Sequence, residues 1–277
     1  MSKISIVTPC YNTEKYIAKA IDSVIASTFT DWDYVIVDDG STDKSLEIIL
    51  NYVKEDPRLQ LIKQRNFGVC NARNNGAKIC SSESEYLMFL DADDCIEPEM
   101  LEIMVKYLDQ YPNVGLLHSD TLFIDSEDNI LNFSRVPRFF LSPDGKFEEV
   151  PDDVPQTPFL SIATGICREA GTVLRKSIYM KTSGWPEFLG QGYEGIDLFI
   201  QMALLSDVHY ISKKLYKYRQ HESQSHKSRD NMFKLIDKWK QAKGLTSEQQ
   251  EKVNQVIDYL PAYEEFMIDY EQLMLSI

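Results

Sequence analysis

The stretch Tyr34-Val35-Ile36-Val37-Asp38-Asp39-Gly40-Ser41-Thr42-Asp43 decides the fold. A short apolar run suited to a strand stops abruptly at two acids and a glycine. Ser41, Thr42 and Asp43 then offer N-caps for a helix carrying Leu46, Ile49, Leu50 and Val53. The same strand-then-helix unit recurs on both sides. Upstream, Ile4–Thr8 is β-like, and a helix from Glu14 to Ser27 buries one face through Tyr16, Ile17, Ala20, Ile21, Val24 and Ile25. Downstream come a strand at Leu59–Lys63, a helix from Val69 to Cys80 and a strand at Tyr86–Leu90. Pro98 suits a first helical turn and opens a helix to Tyr111, and Val114–His118 reads as a fifth strand. Repeated βα units of this length specify an α/β fold with a mainly parallel sheet covered by helices.

Beyond residue 120 the pattern weakens. Pro137, Pro143, Pro151, Pro155 and Pro158 punctuate a loop-rich stretch without an assignable element. Strand character returns at Thr172–Leu174, and an apolar helix is predicted from Ile196 to Leu205. The last fifty residues read as helical: Thr246-Ser247-Glu248-Gln249 fits a capping box, and Pro261 divides two amphipathic segments. These acidic segments are poor anchors for an anionic membrane. Val253, Val256, Ile257 and Leu260, then Phe266, Tyr270 and Leu273, should pack on the rest of the chain or on a second copy as a homo-oligomer.

Composition narrows the function. A net charge of -14 repels phosphate backbones and anionic lipid, which argues against nucleic-acid binding. The five cysteines include no C-x-x-C pair and read as free thiols of a reducing compartment, not as a disulfide framework or zinc site. A strand-like run begins by Ile4, so no signal peptide is expected. No stretch reaches the length of a membrane span. The expected location is cytoplasmic, with at most peripheral contact at the inner face of the membrane.

In an open parallel sheet, ligands bind beyond the carboxyl ends of the strands. Here those ends carry Asp38-Asp39, Asp43 and Asp91-Ala92-Asp93-Asp94. Crowded carboxylates repel, and a divalent cation or ligand donors would relieve them. A D-x-D at a strand end suits magnesium or manganese, which take oxygen ligands and keep several waters. Haloacid-dehalogenase-type phosphotransferases place D-x-D on the first strand, whereas here it is on the fourth. The chain lacks G-x-x-x-x-G-K-[ST], which disfavours P-loop enzymes.

Four segments taken in order resemble a known family: Ser5-Ile6-Val7-Thr8-Pro9-Cys10-Tyr11-Asn12, Val37-Asp38-Asp39-Gly40-Ser41-Thr42-Asp43, Asn66-Phe67-Gly68-Val69-Cys70-Asn71-Ala72-Arg73-Asn74 and Asp91-Ala92-Asp93-Asp94. Together they are similar to the signature of family 2 inverting glycosyltransferases, which have the GT-A fold. The resemblance extends to residue 225 through Tyr218-Arg219-Gln220-His221-Glu222-Ser223-Gln224-Ser225. It implies a GT-A domain over residues 1–228, with a nucleotide-binding half at 1–120 and an acceptor half at 121–228. A helical extension at 229–277 follows.

The resemblance also implies roles. Pro9, Tyr11, Asp39, Asn66, Gly68, Arg73, Asp91 and Ala92 should bind a UDP-sugar donor. Tyr11 would stack on the base, Asp39 would accept its hydrogen bond, Arg73 would lie near the base or diphosphate, and Asp91 would hold the ribose. Asp93 and His221 should ligate Mn2+ or Mg2+. Family members show Glu-Asp at the opening of the helix after the acceptor loop, and the aspartate is commonly the catalytic base. This chain has Glu194-Gly195 there, so the base falls to Glu194 or Asp197. Such a base would deprotonate an acceptor hydroxyl that attacks the anomeric carbon opposite the nucleotide. The acceptor would be a glycan, a glycoprotein or a lipid-linked glycan. Two alternatives stay open: a non-catalytic sugar-nucleotide-binding subunit, kept alive by Gly195, and a sugar nucleotidyltransferase.

Overall fold

The computed structural model describes residues 2–131, 139–141, 147–149, 171–189, 192–221, 229–258 and 260–261. The predicted alternation is present in the first part of the chain. It runs β1 (Ile4–Cys10), α1 (Ile17–Ile25), β2 (Trp32–Asp38), α2 (Ser45–Glu55), β3 (Leu59–Lys63), α3 (Val69–Ile79), β4 (Tyr86–Phe89), β5 (Cys95–Ile96) and α4 (Met100–Gln110). Then come β6 (Val114–Ile124), β7 (Phe139–Leu141), β8 (Phe147–Glu149), β9 (Thr172–Arg175), α5 (Lys176–Tyr179), α6 (Glu194–Ala203), β10 (Asp207–Arg219) and α7 (Arg229–Lys240). Residues 247–258 form a further helix, α8.

Eight strands make one mixed, mostly parallel sheet in the order β3-β2-β1-β4-β9-β6-β10-β5. β1 pairs in parallel with β2 and β4, and β2 with β3. Two features differ from the sequence reading. The strand begun at Val114 runs on to Ile124 and does not join β4 directly, because β9 lies between them, antiparallel to both. β10 was not foreseen. It runs parallel to β6 with register shifts around Lys214, where Ser212-Lys213-Lys214 interrupts any regular apolar pattern.

Strand alternation sends successive side chains to opposite faces, and each face has its own core. Val7, Val37, Leu87 and Phe89 point toward α3, α6, α7 and α8. Ile6, Ile36, Tyr86 and Met88 point toward α1 and α4. Gly76 lets α3 lie close against the sheet, since a Cβ there would stand 2.4 Å from Val7 Cγ1. That approach fixes Arg73 and Asn74, one turn earlier, against the strand ends.

The C-terminal helices belong to the first of these cores. Met232, Leu235, Ile236 and Trp239 from α7 join it, as do Val253, Val256 and Ile257 from α8 and Leu260 just after. Their apolar face is therefore covered by the chain itself, while Phe266, Tyr270 and Leu273 lie outside the described residues. The predicted capping box is formed: Thr246 N–H donates to Gln249 Oε1 at 3.0 Å, and Gln249 N–H to Thr246 Oγ1 at 3.2 Å. Among the described residues no helix is long and apolar enough to cross a membrane.

Candidate active site

The sheet opens at the carboxyl end of β1. β4 pairs with β1 only as far as Val7, so Pro9, which has no N–H to offer, faces β2 alone through its register with Val37. The chain then turns at Asn12, whose φ is +53°, and leaves Tyr11 47% exposed. This turn is tied to the one after β2. Thr42 N–H donates to Asn12 Oδ1 at 2.8 Å, Thr13 N–H to Ser45 Oγ at 2.9 Å and Glu14 N–H to Asp43 Oδ2 at 2.9 Å. Asp43 therefore fastens the two turns, and its Oδ1 also accepts from Ser45 N–H at 2.9 Å where α2 begins at its N-cap, Lys44.

Asp39 is buried at the end of β2. Its Oδ1 accepts from Gln64 Nε2 and Phe67 N–H, each at 2.8 Å, and its Oδ2 from Gly68 N–H at 2.9 Å. The carboxylate thus shapes the loop that holds Asn66 and Gly68. Asn66 is exposed, and Gly68 takes φ +92° as the N-cap of α3. A carboxylate offers about four acceptor positions, so three donors leave one for a ligand N–H. Gln64 was not singled out from the sequence; no motif residue marks it.

Arg73 does not lie on a solvated face. It is buried, donating from Nη2 to Asp91 Oδ1 at 2.7 Å and from Nη1 to Glu194 Oε1 at 3.3 Å. Its guanidinium carbon sits 4.2 Å from the centroid of the Trp185 ring. One side chain thus brings Asp91, at the end of the fourth strand, together with Glu194, in the first turn of α6. Ala92 is buried and packs into the core on the α1 and α4 face.

Asp93 and Asp94 diverge. Asp94 is enclosed, accepting from Tyr216 O–H at 2.8 Å and Arg219 N–H at 2.8 Å, and burial, with Asp93 and Asp91 adding, pushes its carboxyl well above the usual range. Asp93 is partly open, and its Oδ2 lies 2.9 Å from His221 Nε2. The His221 ring packs on Tyr16 with centroids 4.7 Å apart. Arg219, fully buried, braces this corner through Nε to Asp93 O at 2.7 Å and Nη1 to Asp128 at 2.6 Å. Burial works to lower its pKa, and Asp128 more than offsets that, leaving it raised. No local sequence signal marks Arg219 for this role. Its fastening function depends on β10, which was not foreseen.

Glu194 and Asp197 also diverge. Tyr193, at φ +68°, turns the chain into α6 and leaves Glu194 beside Arg73. Asp197 is fully buried. Lys238 Nζ donates to both of its oxygens at 2.6 Å, Trp239 Nε1 to Oδ1 at 2.9 Å and Gln201 Nε2 to Oδ2 at 2.9 Å. Its carboxylate anchors α7 to α6.

Asp93 and His221 fit a divalent ion as a pair. A carboxylate oxygen and an imidazole nitrogen already converge, Asp93 stays reachable, and magnesium or manganese fills its remaining positions with water and phosphate oxygens. Among the described residues no group of three or more His, Cys, Asp or Glu is arranged to hold a metal without such help. Cys10, Cys70, Cys80 and Cys95 are buried and form no disulfide, and burial pushes Cys10 up to about 11.

Comparison with known proteins adds to this geometry. The family model described as Glycosyl transferase family 2 matches residues 5–178. Chondroitin synthase of Escherichia coli is 33% identical over 129 residues, covering 47% of this chain and 18% of that protein. Glycosyltransferase GlyA of Streptococcus pneumoniae is 34% identical over 152 residues, covering 55% and 20%. The chain thus spans far less than the full length of these curated relatives. The crystal structure of S. aureus TarS 1–349 in complex with UDP-GlcNAc superposes with a TM-score of 0.73 at 20% identity, covering 94% of this chain and 72% of that one. The likeness is one of fold.

Proposed function

Because the chain belongs to glycosyl transferase family 2, we propose that it transfers a sugar from a UDP-sugar to a hydroxyl of a glycan or glycoconjugate, with inversion at the anomeric carbon. The observation that carries this reading is the Asp93–His221 contact of 2.9 Å on the rim where Asp39 and Asp91 also lie. The donor base stacks on Tyr11, and the remaining acceptor position of Asp39 takes a ring N–H. Uracil offers one at N3, whereas cytosine has an acceptor there. TarS was crystallised with UDP-GlcNAc, which makes that sugar nucleotide the first donor to try.

Asp93 and His221 would hold a divalent ion, which when bound would supply positive charge toward a departing diphosphate. The chain's own residues do the rest. Asp91 orients the ribose, and Glu194 takes the proton of the acceptor hydroxyl as it attacks from the face opposite the diphosphate. Asp197 is a poor candidate for that base, because Lys238, Trp239 and Gln201 occupy its oxygens. We further propose the boundary at residue 228 as a division of function, with α7 and α8 supporting α6.

Calorimetric titration of UDP, with and without manganese, into wild type and Asp93→Ala tests the reading. Manganese should tighten binding to wild type and do little for the variant. Equal affinity in all four titrations would overturn the assignment of the rim as a metal–diphosphate site.

A further inference from the structure

Arg73 fits poorly as a simple donor contact. Its side chain is only 4% exposed, and its two terminal nitrogens reach two different carboxylates, Asp91 at 2.7 Å and Glu194 at 3.3 Å. The next residue, Asn74, grips the acceptor-side loop on both sides of one residue. Its Nδ2 donates to Trp185 O at 2.9 Å, and its Oδ1 accepts from Trp185 N–H at 2.9 Å. The Trp185 ring then stands under the Arg73 guanidinium and edge-on to Phe89 of β4, with centroids 5.0 Å apart at 83°. Gly76 holds the whole of α3 hard against Val7.

We propose that Arg73 is a positioning residue for Glu194, and that Arg73 with Asn74 clamps the acceptor-side loop onto the donor rim. The proposal rests on Glu194 being the catalytic base. A guanidinium is planar and rigid, so two carboxylates bound to its two terminal nitrogens are held at a fixed separation. Asp91 is part of the donor rim, and the base is thereby set at a fixed place relative to the bound nucleotide. Trp185 removes the remaining freedom of the guanidinium by covering one face. Placement of this kind is worth a great deal in rate, since a shift of about 1 Å from the reactive geometry costs on the order of 10²-fold.

A lysine at this position keeps the charge but has one compact donor group, which cannot span both acids as the fork does. The test compares wild type, Arg73→Gln, Arg73→Lys, Glu194→Gln and the double variant Arg73→Gln/Glu194→Gln. Two quantities are read in manganese buffer: UDP affinity by calorimetry, and UDP release from UDP-GlcNAc with water as acceptor. Arg73→Gln should lower kcat by about 10²-fold while UDP Kd, which loses only the hold on Asp91, rises less than about tenfold, and Arg73→Lys should rescue little of the rate. In the Glu194→Gln background, adding Arg73→Gln should cost almost nothing more, because its effect passes through Glu194. A more than tenfold rise in UDP Kd for Arg73→Gln, or losses that multiply in the double variant, would overturn the positioning role. A wild type that neither binds nor releases UDP would instead overturn the sugar-transfer reading beneath it. A fully active Glu194→Gln would remove Glu194 as the base and leave the donor site standing.

Discussion

Asp39 and Asp197 are both buried carboxylates with several donors, and they illustrate two uses of the same chemistry. Asp39 accepts three hydrogen bonds at the edge of the cleft, two of them from backbone N–H groups of the loop before α3. Asp39→Asn puts an N–H donor opposite at least one of those donors. UDP affinity should fall, and preference for UDP over CDP should shrink; an unchanged ratio would place the base elsewhere. Asp197 lies in the interior and joins two helices through Lys238 and Trp239. Asp197→Asn weakens charged hydrogen bonds worth about 1.5–3 kcal/mol each, so it should lower the melting temperature while sparing UDP binding. His118, fully buried in β6, gives a pH signature. Burial alone pushes its imidazole down to about 3 from an ordinary value of 6.5, so it stays neutral in the fold while the unfolded chain takes up a proton. That contribution to stability is complete above about pH 6.5 and declines as pH falls toward the depressed value. Denaturant midpoints at pH 7.5 and 5.5 should therefore drop less in His118→Leu than in wild type, and parallel drops would argue against it.

At the scale of elements, α3 and the capping box of α8 show what local chemistry decides. The strand-then-helix units through α4 were legible because each has a short apolar run, a polar break and then a helical stretch, and the break after β2 adds Asp, Gly, Ser and Thr. The capping box was legible for the same reason: its residues act on one another three positions apart. Thr246→Ala should cost about 0.5–2 kcal/mol, visible as a lower melting temperature, and no change would mean that α8 is held by packing alone. β10 was illegible because its pairing partner, β6, lies some ninety residues earlier, and its bulges break the alternation that marks a strand. β9 was sensed as a strand, but nothing local shows that it inserts between β4 and β6 in the opposite direction. The same limit applies to the site. Asp39, Asp91, Asp93 and Glu194 were readable as acids at strand and helix ends, whereas the fastening by Gln64, Arg219, Trp185 and Lys238 depends on contacts between distant parts of the chain.

Taken whole, the molecule holds α6 from two directions. Arg73 and Asn74 reach from α3 to the loop at Trp185 and to α6, and Lys238 and Trp239 reach to α6 from α7. The C-terminal helices are part of this support, since Val253, Val256, Ile257 and Leu260 are fully or almost fully buried. Burying each such side chain is worth about 1.5–3 kcal/mol against a total stability of about 5–15 kcal/mol. A chain ended after Lys243 should therefore lose cooperative unfolding, and one that melts within a few degrees of full length would contradict that role. The central claim, sugar transfer from a UDP-sugar with Glu194 as base, is tested most directly by UDP release from UDP-sugars presented with candidate glycans. Wild type and Glu194→Gln are compared at saturating donor. Wild type should release UDP, and the variant should be slower by about 10²–10⁴-fold with its UDP affinity unchanged. A Glu194→Gln variant that transfers as fast as wild type, beside an inactive Asp197→Asn, would contradict it.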